Sequence, residues 1–267
     1  MKIRFMSLAS GSSGNCYYIG CEAYGILIDA GIAARTIKKR LKEVGIGMET
    51  IRAVFITHDH TDHIKSVSAL GEQLHIPIYS TALVHEGINR NHCITEKLSS
   101  SVRILEKGTV LQLGEFRIEA FEVPHDGSDN VGYCIQADGK VFSFLTDLGE
   151  ITPTAAAFIR KANYLILEAN YDEEMLRMGR YPQYLKERID GPNGHLSNRA
   201  TAGFLAEHIT DTLRQVWLCH LSHDNNHPEL ACKTVETKLL ERGIRVGKEV
   251  QLCALKRSVP SELYEFE

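Results

Sequence analysis

The chain has 267 residues, of which 43% are hydrophobic and 24% are charged, and these values exclude disordered, collagen-like and coiled-coil chains. No run approaches the roughly 18 apolar residues that a membrane span needs. The formal net charge of −4, from 30 basic and 34 acidic residues, provides no overall cationic field for nucleic acid, but it is compatible with a local basic patch.

The start of the chain and its cysteines both predict a cytoplasmic protein. The polar residues 10–14 occur before a signal-peptide apolar region can develop. The seven cysteines form an odd, widely spread set without a Cys-x-x-Cys pair, so neither a disulfide framework nor a zinc knuckle is indicated. We expect reduced thiols in a reducing compartment.

Strand and helix patterns alternate along the chain. Gly and Ser turn signals separate three apolar runs at the start, and the unbroken apolar run at 53–56 is typical of a buried strand. Strands are predicted at 3–9, 16–19, 25–29, 53–56, 110–111, 116–123, 131–136, 141–145, 164–167, 215–218 and 250–253. Helices are predicted at 33–44, 64–74, 153–161, 172–178, 198–209 and 228–240, and another strand-helix pair falls before residue 102.

The middle of the chain, residues 102–146, alternates in the manner of antiparallel strands. A mixed succession of this kind suggests two packed sheets with helices outside, which is a four-layer αββα sandwich of the α/β class. Neither an internal repeat nor a Pro-rich linker marks a boundary. We therefore expect a single domain over residues 1–267.

The motif H-x-H-x-D-H, formed by His58, His60, Asp62 and His63, directly follows the buried strand at 53–56. Imidazole and carboxylate groups suit a first-row divalent cation. The loop can aim two imidazoles at one ion while Asp62 and His63 turn toward a second ion. The alternative is a polar turn rich in titratable groups. We predict a metal-binding loop at this position.

Three further candidates, His125, Asp147 and His220, each follow a predicted strand. A lone histidine at a strand end is more often a surface or hydrogen-bonded residue than a ligand. Their shared position beyond the carboxyl ends of strands favours ligation, because one loop cannot complete two coordination shells. His223 is an alternative ligand to His220, which is favoured because it directly ends an apolar strand pattern.

Together with the early segment 27–31 (Leu-Ile-Asp-Ala-Gly), these residues resemble the metallo-β-lactamase-fold superfamily over nearly the whole chain. The resemblance implies an αββα metallohydrolase with two divalent metal ions, and Zn, Mn and Fe all suit such ligands. It also implies that Asp29 supports the site from outside the ligand shell, with a helix N-cap or turn role as an equal alternative. The implied ligands are His58, His60 and His125 for the first metal, Asp62, His63 and His220 for the second, and Asp147 as the bridge.

Two later motifs are similar to those of nucleic-acid-processing members such as tRNase Z. They are the segments 167–170 (Leu-Glu-Ala-Asn) and 194–198 (Gly-His-Leu-Ser-Asn), and they imply that Glu168 and His195 lie beside the scissile phosphate. The segments 9–15 and 221–228 are most similar to the YycJ (WalJ) group of bacterial proteins, which are regarded as 5′ to 3′ DNA exonucleases. The resemblance implies a metal-dependent nuclease whose partner is DNA.

In the mechanism that follows from this resemblance, hydroxide formed between the two metals attacks a backbone phosphate. Asp147 orients the bridging water, and His195, polarised by Glu168, protonates the leaving oxygen. The serine-rich loop at 10–15 offers backbone N–H groups that could cradle a phosphate, with a plain tight turn as an equal alternative. The candidate substrate contacts are Ser12, Ser13, Asn15 and His223.

A basic stretch suits contact with a nucleic-acid backbone. It contains Arg177, Arg180, Lys186, Arg188 and Arg199, and it carries Tyr171, Tyr181 and Tyr184 for stacking on bases. The alternative is an ordinary solvated face.

Two other functions compete with the nuclease. A small-molecule metallohydrolase acting on a thioester, lactone or cyclic phosphodiester could use the same metal cage. Such an enzyme needs no separate acid on the phosphate side, so the pair Glu168 and His195 argues against it. A non-catalytic binding protein is disfavoured by the complete ligand set. An assay on nucleic acids beside small esters separates these classes.

Overall fold

Fourteen strands and eight α-helices make up the regular structure, and a computed structural model describes all 267 residues of the chain. Strands β1 to β14 are, in chain order, Ile3–Ala9, Cys16–Gly20, Gly25–Ile28, Ile51–Phe55, Ile78–Ser80, Val102–Ile104, Val110–Leu113, Phe116–Glu122, Val131–Ala137, Lys140–Leu145, Tyr164–Glu168, Gln215–Cys219, Gln251–Ala254 and Tyr264–Phe266. Helices α1 to α8 are Ala34–Glu43, Thr61–Ile64, Ala82–Arg90, Pro153–Lys161, Glu173–Met178, Gln183–Ile189, Asn198–His208 and Pro228–Glu241. None of these helices has the length and apolar character needed to cross a membrane.

Contacts divide the chain into two units, and each unit contains one seven-stranded sheet. Unit 1 comprises Met1–Thr109, Gly127–Asn130 and Lys256–Glu267, and unit 2 comprises Val110–Asp126 and Val131–Leu255. The sheet of unit 1 has the strand order β14-β1-β2-β3-β4-β5-β6, and that of unit 2 has the order β13-β12-β11-β10-β9-β8-β7. No disulfide links the seven cysteines.

In unit 1, strands β3 to β6 pair in parallel. Strand β2 is antiparallel to both β1 and β3, so β1 runs in the same direction as β3. The carboxyl ends of β1, β3 and β4 therefore meet at one edge of this sheet, the place where ligand sites form in parallel sheets. The segments that leave this edge are residues 10–15, Asp29 and the H-x-H-x-D-H loop.

In unit 2, strands β7 to β10 form the predicted antiparallel run, and β10 to β13 pair in parallel. Two successive antiparallel pairings make β8 run in the same direction as β10. The carboxyl ends of β8, β10, β11 and β12 therefore meet at one edge. His125, Asp147, Glu168 and His220 lie at or just after these strand ends.

Each unit has its own apolar core. In unit 1, helix α1 buries Ile37 and Leu41 in a cluster that also contains Val54 of the sheet. In unit 2, Leu205 of α7 and Val235 of α8 belong to the corresponding cluster. Full burial of one such side chain stabilises the fold by roughly 1.5–3 kcal/mol. These cores hold the strand ends, and hence the polar side chains that follow them, in place.

The prediction of one continuous helix at 64–74 is wrong. The chain forms the short helix α2, which ends at Ile64, and then a π-helical turn over Ala69–Gln73. The backbone N–H of Ser66 donates to the carbonyl of Ala30 at 2.9 Å, and the Ser66 hydroxyl donates to the same carbonyl at 3.0 Å. A hydrogen bond to a distant segment replaces the intrahelical one and interrupts the helix at this residue.

Candidate active site

In unit 1, the motif histidines lie against one another just after β4. The ring centroids of His58 and His60 are 4.5 Å apart, and those of His58 and His63 are 4.1 Å apart. Asp62 Oδ2 lies 3.6 Å from His63 Nε2. Helix α2 begins at Thr61 and places Asp62 and His63 in its first turn, so the loop and the helix start bring together the four predicted ligands of this unit.

Asp29 organises this loop from the neighbouring strand. Its carboxylate accepts hydrogen bonds from the backbone N–H of Thr57 at 2.9 Å, from the Thr57 hydroxyl at 3.0 Å and from His63 Nδ1 at 2.8 Å. Burial raises the pKa of Asp29, while the charge and hydrogen bonds of His63 and Thr57 act against that rise. Asp29 does not cap a helix, because the N-cap of α1 is Ala33.

The serine-rich loop packs directly on the same segment. The backbone N–H of Asn15 donates to the carbonyl of Asp62 at 2.8 Å, and the Asn15 amide lies 2.9 Å from His63 Nε2. Asn15 is buried, whereas Ser12 and Ser13 are exposed. A Cβ at Gly31 would lie 1.6 Å from the Asp62 carbonyl oxygen, so only glycine allows this close approach.

In unit 2, the side chains at the ends of three adjacent parallel strands converge. The ligand atoms of Asp147, Glu168, His195 and His220 all lie within 4.8 Å of one another. Asp147 Oδ1 is 3.0 Å from His220 Nδ1 and 3.9 Å from His125 Nε2. The structure thus gathers the five predicted ligands and catalytic residues of this unit at one edge of its sheet.

Glu168 is the buried anchor of this group. Its Oε1 accepts hydrogen bonds from His195 Nδ1 at 2.7 Å and from His220 Nδ1 at 2.9 Å. Its Oε2 accepts from the backbone N–H groups of Leu148 at 3.0 Å and Leu196 at 3.1 Å. Burial alone would raise the pKa of Glu168, but the charge and hydrogen bonds of His195, with the hydrogen bond of His220, hold it below its ordinary value. Glu168 therefore positions two histidines at once.

Five histidines share one arrangement, in which Nδ1 faces an oxygen atom. Carboxylate and carbonyl oxygens only accept, so Nδ1 carries the proton wherever such an oxygen is the partner, and Nε2 is the nitrogen left to bind a metal or a substrate. Ligating histidines in metal sites are almost always held in this way. The pairs are His58 with Thr57 Oγ1 at 3.0 Å, His63 with Asp29 at 2.8 Å, His125 with the Gly194 carbonyl at 2.8 Å, and His195 and His220 with Glu168 at 2.7 and 2.9 Å.

These donor sets fit divalent cations. Imidazole and carboxylate groups are ligands for zinc, manganese and iron, and the oriented Nδ1 atoms meet the requirement for a second layer of hydrogen bonds. His220 is buried in the unit 2 group, whereas the side chain of His223 is 74% exposed and lies 2.7 Å from Asp224 Oδ1. His220, and not His223, therefore lies in the group that contains Asp147 and Glu168.

Sequence reasoning missed several residues that hold the site. Thr57 bridges Asp29 and His58, and Asn170 donates to the His220 carbonyl at 2.8 Å. Asp59 accepts hydrogen bonds from the backbone N–H of Ser128 at 2.9 Å and from its hydroxyl at 2.6 Å. Asp59 lies within the histidine motif and Asn170 within the 167–170 segment, and these positions could have indicated a role at the site. No local pattern singles out Thr57.

A family profile described as a beta-lactamase superfamily domain matches residues 24–220. The chain belongs to the metallo-β-lactamase superfamily. Within it, the chain is 32% identical over 263 residues to the exodeoxyribonuclease YycJ of Bacillus anthracis, covering 98% of this chain and 99% of that protein. It is 33% identical over 249 residues to the exodeoxyribonuclease WalJ of Streptococcus pneumoniae, covering 93% of each.

Among solved structures, the metallo-β-lactamase-fold protein YhfI of Bacillus subtilis has a TM-score of 0.73 to this chain and is 18% identical to it, and the match covers all of both chains. The predicted αββα fold class of the metallo-β-lactamase superfamily is therefore confirmed. The predicted resemblance to the YycJ (WalJ) group is confirmed by the two exodeoxyribonucleases, which match nearly the whole chain.

Proposed function

We propose that this protein is a metal-dependent phosphodiesterase that acts as a 5′ to 3′ DNA exonuclease. The observation that carries the proposal is the contact of 2.7 Å between Glu168 and His195, set within the group that contains Asp147 and His220. A buried carboxylate that orients an accessible histidine suits protonation of a leaving oxygen. The near full-length similarity to two exodeoxyribonucleases supports the choice of DNA as substrate.

We further propose that seven side chains hold two divalent ions, which are zinc, manganese or iron. When bound, the ions lower the pKa of water toward neutrality and neutralise charge on the phosphodiester. The side chains of His58, His63, His125 and His220 offer Nε2 for this purpose because their Nδ1 atoms face oxygen acceptors. The proposed ligands are His58, His60 and His125 for one ion, Asp62, His63 and His220 for the other, and Asp147 for both.

His195 is the proposed general acid. Its side chain is 20% exposed, so Nε2 can reach a substrate while Nδ1 stays on Glu168. In the protonated imidazole both nitrogens donate, and Glu168 Oε1 accepts the hydrogen bond from Nδ1 at 2.7 Å. As the bond between phosphorus and the leaving oxygen breaks, the Nε2 proton passes to that oxygen and His195 becomes neutral.

Ser12, Ser13 and His223 are the proposed substrate contacts, since all three are exposed. Asn15, also predicted as a contact, is buried, and we propose that it holds the serine loop beside His63. We also propose a cytoplasmic location, on the basis of the odd, widely spread set of seven cysteines in the sequence.

The test is an assay of manganese- and zinc-loaded protein on single- and double-stranded DNA and RNA labelled at either end, beside a thioester and a cyclic nucleotide. We expect release of mononucleotides from the 5′ end of DNA. Asp147→Ala should lose both metal and activity, whereas His195→Ala should retain its metal. Turnover of the small esters alone would contradict the nuclease assignment, and full nuclease turnover by His195→Ala would contradict the general-acid role.

A further inference from the structure

Unit 2 presents an exposed segment whose chemistry is unlike that of its flanks. Residues 175–186, here called the α5–α6 segment, contain Arg177, Arg180 and Lys186 and no acidic residue. The acidic side chains of this region lie outside it, at 172–174, 187 and 190. Met178 is 77% exposed and Tyr184 is 73% exposed. Two large, exposed apolar side chains therefore lie in one short segment whose charged residues are all basic.

Several residues of the predicted basic stretch are buried or already paired with acidic side chains. Tyr171 is buried. Arg188 is paired with Asp126 at 2.5 Å, Arg199 with Glu173 at 3.2 Å, and Arg177 with Glu174 at 3.9 Å. Between α5 and α6, Arg180 is exposed and forms no ion pair, so its guanidinium group is available to a partner.

Hydrogen bonds hold the α5–α6 segment in a defined place. Lys186 Nζ donates to the Arg177 carbonyl at 2.8 Å and ties the two short helices together. The Tyr181 hydroxyl donates to Asp224 at 2.8 Å, and Asp224 also contacts His223 at 2.7 Å. A Cβ at Gly179 would lie 2.7 Å from Asn225 Oδ1. The segment thus lies on the loop that begins just after His220.

The far end of helix α6 is attached to the proposed acid. The backbone N–H of His195 donates to the carbonyl of Ile189, the last residue of α6, at 2.8 Å. The α5–α6 segment is therefore connected at one side to the loop that follows His220 and at the other to His195. A DNA strand bound across Met178 and Tyr184 would therefore be held by a segment that is hydrogen-bonded both to the loop after His220 and, through the end of α6, to His195.

We propose that the α5–α6 segment binds single-stranded DNA, with Met178 and Tyr184 against unpaired bases and Arg180 on a phosphate; this inference rests on the proposed nuclease function. Aromatic side chains and arginine are the usual means of binding single strands. A flexible single strand of DNA can place a phosphate on Arg180 and turn its bases toward Met178 and Tyr184. A duplex keeps its bases stacked inside and would bring further phosphates onto the acidic flanks.

The experiment measures binding of a fluorescein-labelled single-stranded oligothymidine by anisotropy, in EDTA and at several salt concentrations, so that no cleavage occurs. The test variant is Arg180→Gln/Tyr184→Ala. The matched control is Lys248→Gln/Leu240→Ala, which removes one exposed basic and one exposed apolar side chain elsewhere in unit 2. Hydrolysis of bis-p-nitrophenyl phosphate, a small diester without nucleobases or further phosphates, is measured on the same proteins.

We expect the test variant to bind the oligonucleotide about tenfold or more weakly than the wild type, because it loses one stacked base. The slope of the logarithm of the binding constant against the logarithm of the salt concentration should also become shallower by about one, because one phosphate contact is lost. The control and the small-ester activity should stay within about twofold of the wild type. If the wild type cleaves DNA and the test variant binds like the control, the inference is wrong and the proposed function stands. If light scattering shows that the test variant changes only the oligomeric state, the segment is a protein interface. A wild type that neither binds nor cleaves any nucleic acid overturns both.

Discussion

The carboxylate of Asp29 accepts a hydrogen bond from Nδ1 of His63 at 2.8 Å, and both side chains are fully buried. Asp29 directly follows β3, and His63 lies in helix α2, which follows β4 of the same sheet. Asp29 thereby sets which nitrogen of His63 can bind a metal. The site in unit 1 depends on this residue, although Asp29 itself is not a proposed ligand.

Asp29→Ala should lower metal affinity by about 10- to 100-fold, which is typical for loss of a residue that orients a ligating histidine. It should also destabilise the metal-free protein by about 1–3 kcal/mol, because buried donors of Thr57 and His63 lose their acceptor. Competition with a chelator and denaturant unfolding measure the two effects. Asp29→Asn, which keeps an acceptor oxygen, should be milder in both. Equal metal affinity in wild type and Asp29→Ala would contradict the role.

Glu168→Gln and His195→Ala should differ in their metal content, because the Glu168 carboxylate contacts both His195 and His220. All four groups around Glu168 are donors, so a glutamine would turn its NH₂ group toward another donor. We expect Glu168→Gln to reduce both turnover and metal content, since it disturbs His195 and His220 together. His195→Ala should reduce turnover by about 10²- to 10⁴-fold while the metal content stays unchanged.

Metal analysis of the purified variants, with rates measured on the same samples, separates the two substitutions. Arg199→Gln is the control, because Arg199 pairs with Glu173 on the surface and should leave both readouts near those of the wild type. A Glu168→Gln protein with full metal content and only reduced turnover would show that Glu168 serves His195 alone.

Glu72 should make the stability of unit 1 sensitive to acid. Its carboxylate accepts hydrogen bonds from the Ser101 hydroxyl at 2.6 Å and from the Ser99 backbone N–H at 2.9 Å, and these bonds lower the pKa of Glu72. A carboxyl group whose pKa is lower in the folded state than in the unfolded state stabilises the fold at pH values above its unfolded-state pKa. That stabilisation is lost as the pH falls through the folded-state pKa.

Thermal melts of the metal-free protein at pH values between about 6 and 3 test this contribution. Glu72→Gln should melt about 2–4 °C lower than the wild type at pH 6, the shift that roughly 1 kcal/mol produces in a protein of this size. The difference should shrink as the pH falls below the ordinary carboxyl value. A difference that is constant or grows on acidification would contradict the assignment.

If residues 1–267 form a single domain, as predicted, the protein should unfold in one cooperative transition. Unit 1 is assembled from three separate segments of the chain, because Lys256–Glu267 returns to place β14 beside β1. Neither unit is a continuous piece that could fold first by itself. Calorimetry of the metal-free protein should give a ratio of calorimetric to van't Hoff enthalpy near one. Two resolved transitions would indicate independent units.

Much of the fold follows from local patterns. The strands 3–9, 116–123 and 164–167 and the helices 153–161 and 228–240 were predicted within about two residues, because periods of 2 and 3.6 distinguish strands from helices locally. Short elements with weak patterns were missed, among them α6 and β14. Strand β14 exists because it pairs with β1, which is some 260 residues away in the sequence.

By itself, the sequence determined the chemistry of the candidate site. The H-x-H-x-D-H spacing and the polar residues placed just after strands identify the proposed ligands, since parallel strands bring their carboxyl ends to one edge. Only the tertiary structure decided how those residues are held: Ser66 bonds to Ala30 and interrupts a helix, Glu168 serves two histidines, and His220 rather than His223 faces Asp147. Each of these is a hydrogen bond or contact between residues far apart in the chain, and no local periodicity records such a pairing.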